Sequence, residues 1–124
     1  MFRFIEQLKD MKHPSILSSV RQPIHPTTEQ ITLPDVLHAL GDPLRLRILD
    51  QLFAGGENMT CGDFQLGDNI AKSTASSMFK TLRDAGIIRM TPEGRSIRVT
   101  LRRQDMEACF PGLLETIVET YRNS

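Results

Sequence analysis

Apolar side chains recur at helical spacing in the two segments that follow Thr32 and Asp42. Thr32 is a helix-capping residue type and Pro34 stands in the first turn after it, so we predict a short helix that ends at Gly41. Asp42 and Pro43 predict the start of a second helix. This second helix is apolar over about 200 degrees of its circumference, which is typical of an interior helix with several neighbours. Its apolar residues are Leu44, Leu46, Ile48, Leu49, Leu52 and Phe53.

A third amphipathic segment begins near Lys72, after a less regular stretch. In that stretch Thr60 is a candidate cap for a short helix over residues 61–64, and residues 66–69 (LGDN) predict a turn. After Lys72 the apolar residues occupy about a third of the helix circumference, and the other positions are mostly small, polar or basic. Gly86 is expected to end this helix. The apolar face contains Ala75, Met78, Phe79, Leu82 and Ala85.

Two short strand patterns come after Gly86 and predict a β-hairpin. Residues 87–90 (IIRM) and 96–101 (SIRVTL) have the composition of strands, and the intervening TPEGR contains the Pro and Gly of a turn. In the second strand apolar and polar residues alternate, which places Arg98 on the solvent side. The hairpin is therefore expected to have a basic edge.

The N-terminal 30 residues predict one short helix and an extended arm. Pro14, Pro23 and Pro26 restrict a continuous helix to about the first twelve positions. The apolar residues of that short amphipathic helix are Ile5, Leu8 and Met11.

The C-terminal segment predicts a helix that starts at Asp105 and is interrupted at Pro111. Its last part has an apolar arc of about 140 degrees. Such a helix must pack either against its own domain or against a second copy of the chain. The arc contains Leu113, Leu114, Ile117, Val118 and Tyr121.

The composition is that of an ordinary globular protein of 124 residues, with 40% hydrophobic and 24% charged residues. No stretch reaches the roughly 18 apolar residues of a membrane-spanning helix, and the charged start MFRFIEQLKDMK does not resemble a signal peptide. We therefore expect a cytoplasmic protein without a membrane span. Cys61 and Cys109 are the only cysteines, which predicts two reduced thiols rather than a disulfide framework.

The formal net charge is zero, but the charges are segregated along the chain. Residues 70–103 hold eight basic and two acidic side chains, a net charge of plus six, whereas residues 31–69 hold two basic and six acidic ones. Positive charge concentrated on the third helix and the hairpin indicates a surface for a polyanion. A plain solvated helix face is the alternative interpretation.

The order of these elements is that of a winged helix-turn-helix, mainly α with a small β-hairpin. In that arrangement one face of a helix is held by the domain while the other enters the DNA major groove, which is about 12 Å wide. The hairpin would contact the adjacent backbone or minor groove. The candidate DNA-binding residues are Lys72, Ser73, Thr74, Ser76, Ser77, Lys80 and Arg83 on the helix, and Arg95 and Arg98 on the hairpin.

Three segments resemble the ArsR-type winged helix-turn-helix transcription regulators. They are LHALGDPLRLRILDQL, KSTASSMFKTLRDAGIIR and EGRSIRVTL, and the resemblance extends over about residues 31–118. It implies a homodimeric repressor whose two recognition helices face successive major grooves of an inverted-repeat operator. It also implies a dimer interface formed by the N- and C-terminal helices, with Ile5, Leu8, Leu113, Leu114, Ile117, Val118 and Tyr121.

The sequence departs from the family at its usual metal sites. Many members bind metals through a Cys-X-Cys pair before the recognition helix or through His and carboxylate ligands on the last helix. Here TCGD contains a single cysteine and the last helix has no histidine, so we expect neither metal nor cofactor, although a site shared between two copies stays open. The sequence assigns no effector. The three histidines, expected on the surface or the arm, are His13, His25 and His38.

Cys61 carries a separate hypothesis. In the first turn of a helix its thiol pKa would be lowered, which favours redox sensing by Cys61, alone or together with Cys109. Two inert thiols are the alternative.

The sequence thus predicts three regions: a short helix and arm over residues 1–30, a winged helix-turn-helix core over 31–103, and a dimerisation helix over 104–124. An enzyme is disfavoured because the chain has no phosphate-binding glycine loop and no recognisable nucleophile or metal cluster. The remaining rival is a winged helix that binds protein rather than DNA.

Overall fold

The computed structural model describes residues 24–124, so the predicted N-terminal helix, with Ile5 and Leu8, lies outside the described residues, as does His13 of the predicted arm. Within 24–124 the chain forms five α-helices and three strands, which confirms the predicted fold class. The elements are α1 (Leu33–Leu40), α2 (Pro43–Ala54), β1 (Asn58–Thr60), α3 (Lys72–Asp84), β2 (Ile88–Glu93), β3 (Ser96–Leu101), α4 (Arg103–Cys109) and α5 (Leu113–Arg122).

Helices α1 and α2 begin where the capping residues predict. The Thr32 hydroxyl accepts a hydrogen bond from the Asp35 amide at 3.3 Å. The Asp42 carboxylate accepts from the amides of Leu44 and Arg45 at 2.9 and 3.1 Å, and thereby satisfies two of the free N–H groups of the first turn. Local capping chemistry therefore sets both starts, each with a proline in the first turn.

The three strands form one antiparallel sheet in the order β1-β3-β2. The predicted hairpin of β2 and β3 is confirmed, with Glu93 opposite Ser96 at its closed end. Strand β1 was not predicted, because three residues are too few to show an alternating pattern. It pairs with the far side of β3 and so makes β3 the central strand.

The core lies between the helices and one face of the sheet. Helix α2 passes through it, and Ile48, Leu49 and Leu52 are fully buried, in agreement with the predicted interior helix. Each such side chain contributes roughly 1.5–3 kcal/mol through the removal of apolar surface from water. The sheet contributes Ile88 and Val99 to the same cluster.

The C-terminal segment folds as two helices, broken near Pro111 as predicted, although α4 begins at Arg103 rather than at Asp105. Helix α5 packs against α2 of its own chain, and Leu114 and Val118 are buried in the core. An ion pair between Arg122 and Asp50 joins the end of α5 to α2. Part of the predicted apolar arc is therefore covered within a single chain.

The described part of the predicted arm is docked on the domain. A 3-10 turn at Thr28–Gln30 is closed by a capping box between Thr27 and Gln30. Ile31, the next residue, is buried against the turn that ends α3. In that turn Gly86 has φ +88 and its amide donates to the Arg83 carbonyl, while the next amide bonds back to Leu82, a glycine-ended helix terminus as predicted.

Replacement of Gly86 by alanine is expected to destabilise the protein by about 2–4 kcal/mol. The backbone at φ +88 disfavours a side chain, and an added Cβ would lie 2.5 Å from Ile31 Cγ1 and 2.6 Å from its Cδ1. Gly94 is the matched control, because it has φ +62 but no heavy atom within 4 Å of an added Cβ. Gly94→Ala should therefore cost only about 1 kcal/mol. Urea unfolding measures both, and equal losses would contradict the tight contact with Ile31.

Candidate nucleic-acid interface

Helix α3 is held by the apolar face that the sequence predicts. Phe79 and Leu82 are buried, and the Phe79 ring meets Phe64 edge-on with centroids 5.1 Å apart and planes 69° apart. The helix contacts α1, α2 and β2, so three elements fix its position. The opposite face is left open to solvent.

The exposed face of α3 contains six of the seven helix residues predicted to contact DNA, and all six are exposed. The seventh, Arg83, is different: its side chain is 18% exposed and forms an ion pair with Asp84 at 3.0 Å. The six exposed residues are Lys72, Ser73, Thr74, Ser76, Ser77 and Lys80.

The N-terminus of α3 has no side-chain cap. Ala71 occupies the capping position, and it lacks an oxygen to accept from the first amides of the helix. This differs from α1 and α2, which both have capping side chains. The first N–H groups of the helix thus have no side-chain cap, and they lie beside the exposed Lys72 and Ser73, where the positive end of the helix dipole favours an anion.

The segment before α3 is held by Gln51, a residue that the sequence analysis did not identify. Its side-chain amide donates to the Gln65 carbonyl at 2.6 Å and accepts from the Gln65 amide at 2.7 Å. Arg47 donates to the Leu66 carbonyl at 3.4 Å. Two polar side chains of α2 thus fix the segment that leads into α3. No sequence pattern at Gln51 or Arg47 predicts these contacts.

The short helix predicted over residues 61–64 is present as a single 3-10 turn, Cys61–Asp63, with Thr60 at its N-cap position as predicted. The amide and the hydroxyl of Thr60 both donate to the Asp63 carboxylate, at 3.3 and 2.7 Å. One turn of this kind gives little aligned dipole.

The two predicted DNA-binding arginines of the hairpin differ: Arg95 is exposed and Arg98 is in an ion pair. Arg95 is exposed at the turn. Arg98, predicted on the solvent side, is half-buried, and its guanidinium binds both oxygens of Glu93 at 2.7 and 3.0 Å. It also donates to Asn58 Oδ1 at 2.9 Å, and so links all three strands.

Comparisons with known proteins agree with this geometry. The Helix-turn-helix domain family matches residues 40–91. The chain is similar to the uncharacterized HTH-type transcriptional regulator YceK of Bacillus subtilis, with 39% identity over 82 residues, which are 66% of this chain and 82% of that protein. A crystal structure of an ArsR family transcriptional regulator superimposes with a TM-score of 0.56 at 22% identity, over 82% of this chain and 99% of that one. The chain belongs to the HTH-type transcriptional regulators. Its fold is that of an ArsR family regulator, so the winged helix-turn-helix fold expected from the sequence is confirmed.

In this regulator α3 occupies the place of the recognition helix, and the β2–β3 hairpin the place of the wing, of a winged helix-turn-helix fold. The predicted dimer residues are divided by the structure: Leu114 and Val118 are buried in the core, whereas Leu113, Ile117 and Tyr121 are half-buried. Of these five described residues, only the latter three have surface left for a partner. Across residues 24–124 no helix is long and apolar enough to cross a membrane.

The Cys61 thiol does not have the lowered pKa predicted for it. Burial raises the pKa of the Cys61 thiol, so the predicted lowering is wrong: the 3-10 turn supplies no helix dipole to oppose desolvation. Cys109 is half-buried and directs its Sγ to the Thr28 carbonyl at 3.9 Å. Among the described residues no three His, Cys, Asp or Glu side chains are grouped so that they could hold a metal ion.

His25 fastens the arm of the regulator to the wing. Its Nε2 accepts a hydrogen bond from the Met90 amide at 2.8 Å, so a neutral imidazole satisfies a donor on the outer strand of the sheet. Next to it Arg102 donates to the Pro26 carbonyl at 2.7 Å. Burial lowers the pKa of His25 to about 4, and the positive charge of Arg89, followed by those of two further arginines, lowers it in the same direction.

The stability of the regulator should fall as the pH is lowered from about 6.5 towards 4. The folded state keeps His25 neutral while an unfolded histidine binds a proton near pH 6.5, so the unfolded state gains protons first. We expect a loss of about 1 kcal/mol, reduced from the full shift because the imidazole is partly exposed. His25→Gln, which keeps an acceptor but does not titrate, is the reference. The difference in free energy of unfolding between the two proteins should decrease over this range; a constant difference would contradict it.

Proposed function

We propose that this regulator is a cytoplasmic homodimeric repressor that binds an inverted-repeat operator, with α3 of each copy in a major groove. The observation that carries the proposal is the combination on α3 of an uncapped N-terminus and an exposed face of small polar and basic side chains. Short side chains let the helix backbone approach DNA closely. Their hydroxyls are suited to phosphates and base edges.

The contacts divide by chemistry. Lys72 and the free amides at the start of α3 would bind a phosphate. Ser76 and Ser77, about one turn further along the helix, would face base edges. Arg95 at the wing tip would bind the adjacent backbone or minor groove. Arg83 is not included among the proposed DNA contacts, because its charge is paired with that of Asp84.

The homodimer is supported by apolar side chains that residues 24–124 leave uncovered. Leu33 and Leu37, on one side of α1, are 42% and 49% exposed. The half-buried Leu113, Ile117 and Tyr121 of α5 continue the predicted interface. Burial of such surface against a second copy would add stability to a small core. A two-fold dimer then requires half-sites about 34 Å apart.

Selection of bound fragments from a genomic library tests the operator. Duplexes with inverted half-sites about one helical turn apart should be enriched, and their affinity should fall steeply as salt concentration rises. Salt-independent or absent DNA binding would favour the protein-binding rival. Enrichment of single half-sites would contradict the dimer.

Ala71→Asp should move stability and DNA binding in opposite directions. An aspartate at this position can accept from the free amides of α3 and should stabilise the fold by about 1 kcal/mol. Its negative charge occupies the proposed phosphate position, so operator affinity should fall tenfold or more. Thermal unfolding and fluorescence anisotropy measure the two effects.

Ala71→Asn is the matched control, because asparagine caps a helix as well as aspartate but adds no charge. It should give the same stabilisation with a clearly smaller loss of affinity. If the aspartate variant binds the operator as tightly as the asparagine variant, no phosphate lies at the N-terminus of α3.

A further inference from the structure

The wing contains a carboxylate–arginine pair that the DNA-binding account does not use. Arg98 lies on the central strand, opposite Thr91 of β2 and Thr60 of β1. Two of its N–H groups bind the two carboxylate oxygens of Glu93, and a third binds Asn58. The pair is therefore anchored from both neighbouring strands and has a defined geometry.

The geometry of this pair is the one by which arginine binds a phosphate. Two parallel N–H donors meet two anionic oxygens, and a phosphate offers the same arrangement to the same guanidinium edge. A DNA phosphate and Glu93 therefore compete for one set of donors. Because the Glu93 side chain is 55% exposed, a competing anion can reach the pair from solvent.

The charges in this region strengthen the contact. The hydrogen bond from Arg98 lowers the pKa of Glu93, and the same contact raises the pKa of Arg98, so both groups are charged at neutral pH. Asp63 adds a second, weaker attraction to Arg98. Arg95, at the turn between the strands, has no ion-pair partner within residues 24–124 and is the free cation of the wing tip.

We propose that Glu93 is an internal competitor that occupies the phosphate-binding edge of Arg98 and so limits the affinity of the wing for DNA of any sequence. The proposal rests on the function proposed above. It makes Glu93 an affinity-determining residue and changes the role predicted for Arg98. In the native protein the Arg98 charge is already paired, and only release from Glu93 would make it available to the DNA backbone.

The test compares two glutamate variants that change the net charge equally. Glu93→Gln removes the competitor on the wing. Glu115→Gln removes a carboxylate of similar exposure, 56%, that pairs with Arg103, beyond the end of β3 remote from the hairpin turn. Binding to the selected operator and to a random duplex is measured for both variants over a range of salt concentrations.

Glu93→Gln should bind both duplexes about tenfold more tightly than the native protein, and the salt dependence should steepen by about one released counterion. Glu115→Gln should show only the small effect of net charge. Arg98→Ala should abolish the gain in the Glu93→Gln background, so that the double variant binds both duplexes more weakly than Glu93→Gln.

Three results would overturn the proposal. Equal affinity of the two glutamine variants shows that only net charge matters. A gain that persists in Glu93→Gln/Arg98→Ala shows simple repulsion between Glu93 and DNA. A loss of affinity in Glu93→Gln shows that the pair serves to hold the wing in shape. Failure of the proposed function is seen separately, as absence of DNA binding by the native protein.

Discussion

The packing of Phe79 and Leu82 against the core is the contact on which the rest of this structure depends. A helix that enters a DNA groove must expose most of its circumference, so a narrow apolar face has to hold it. Here that face meets helices on one side and the sheet on the other, and Phe64 adds an edge-on ring contact. Two further contacts fix the chain on either side of α3: Gln51 holds the segment before the helix, and Gly86 forms the turn after it.

Residues 70–103 expose fewer unpaired positive charges in the folded structure than their sequence suggests. Of their eight cations, four form ion pairs: Arg83, Arg98, Arg102 and Arg103. Lys72, Lys80, Arg89 and Arg95 have no ion pair among the described residues. Counterion release depends on the cations that reach phosphates, so a charge count overstates the footprint. Two of these paired arginines instead hold the structure together. Arg98 links the strands of the wing, and Arg102 also donates to the Pro26 carbonyl of the arm.

The features that could be predicted from sequence are those set by neighbouring residues. Thr32, Asp42 and Gly86 act on amides within a few positions, and the apolar face of α3 follows from spacing alone. The unpredicted features join distant positions. His25 reaches Met90, 65 residues away, and β1 exists because β3 offers it a partner. The segment before α3 is a further case, because Gln51 holds Gln65 from 14 residues away.

The central claim is that the exposed N-terminal half of α3 contacts DNA. The most direct measurement is backbone amide NMR of the labelled regulator during titration with an operator duplex. The account predicts the largest shifts, with new protection from hydrogen exchange, at the amides of Lys72, Ser73 and Thr74, which have no cap in the free protein. Operator binding that leaves these three amides unchanged and perturbs only α1 and α5 would contradict it.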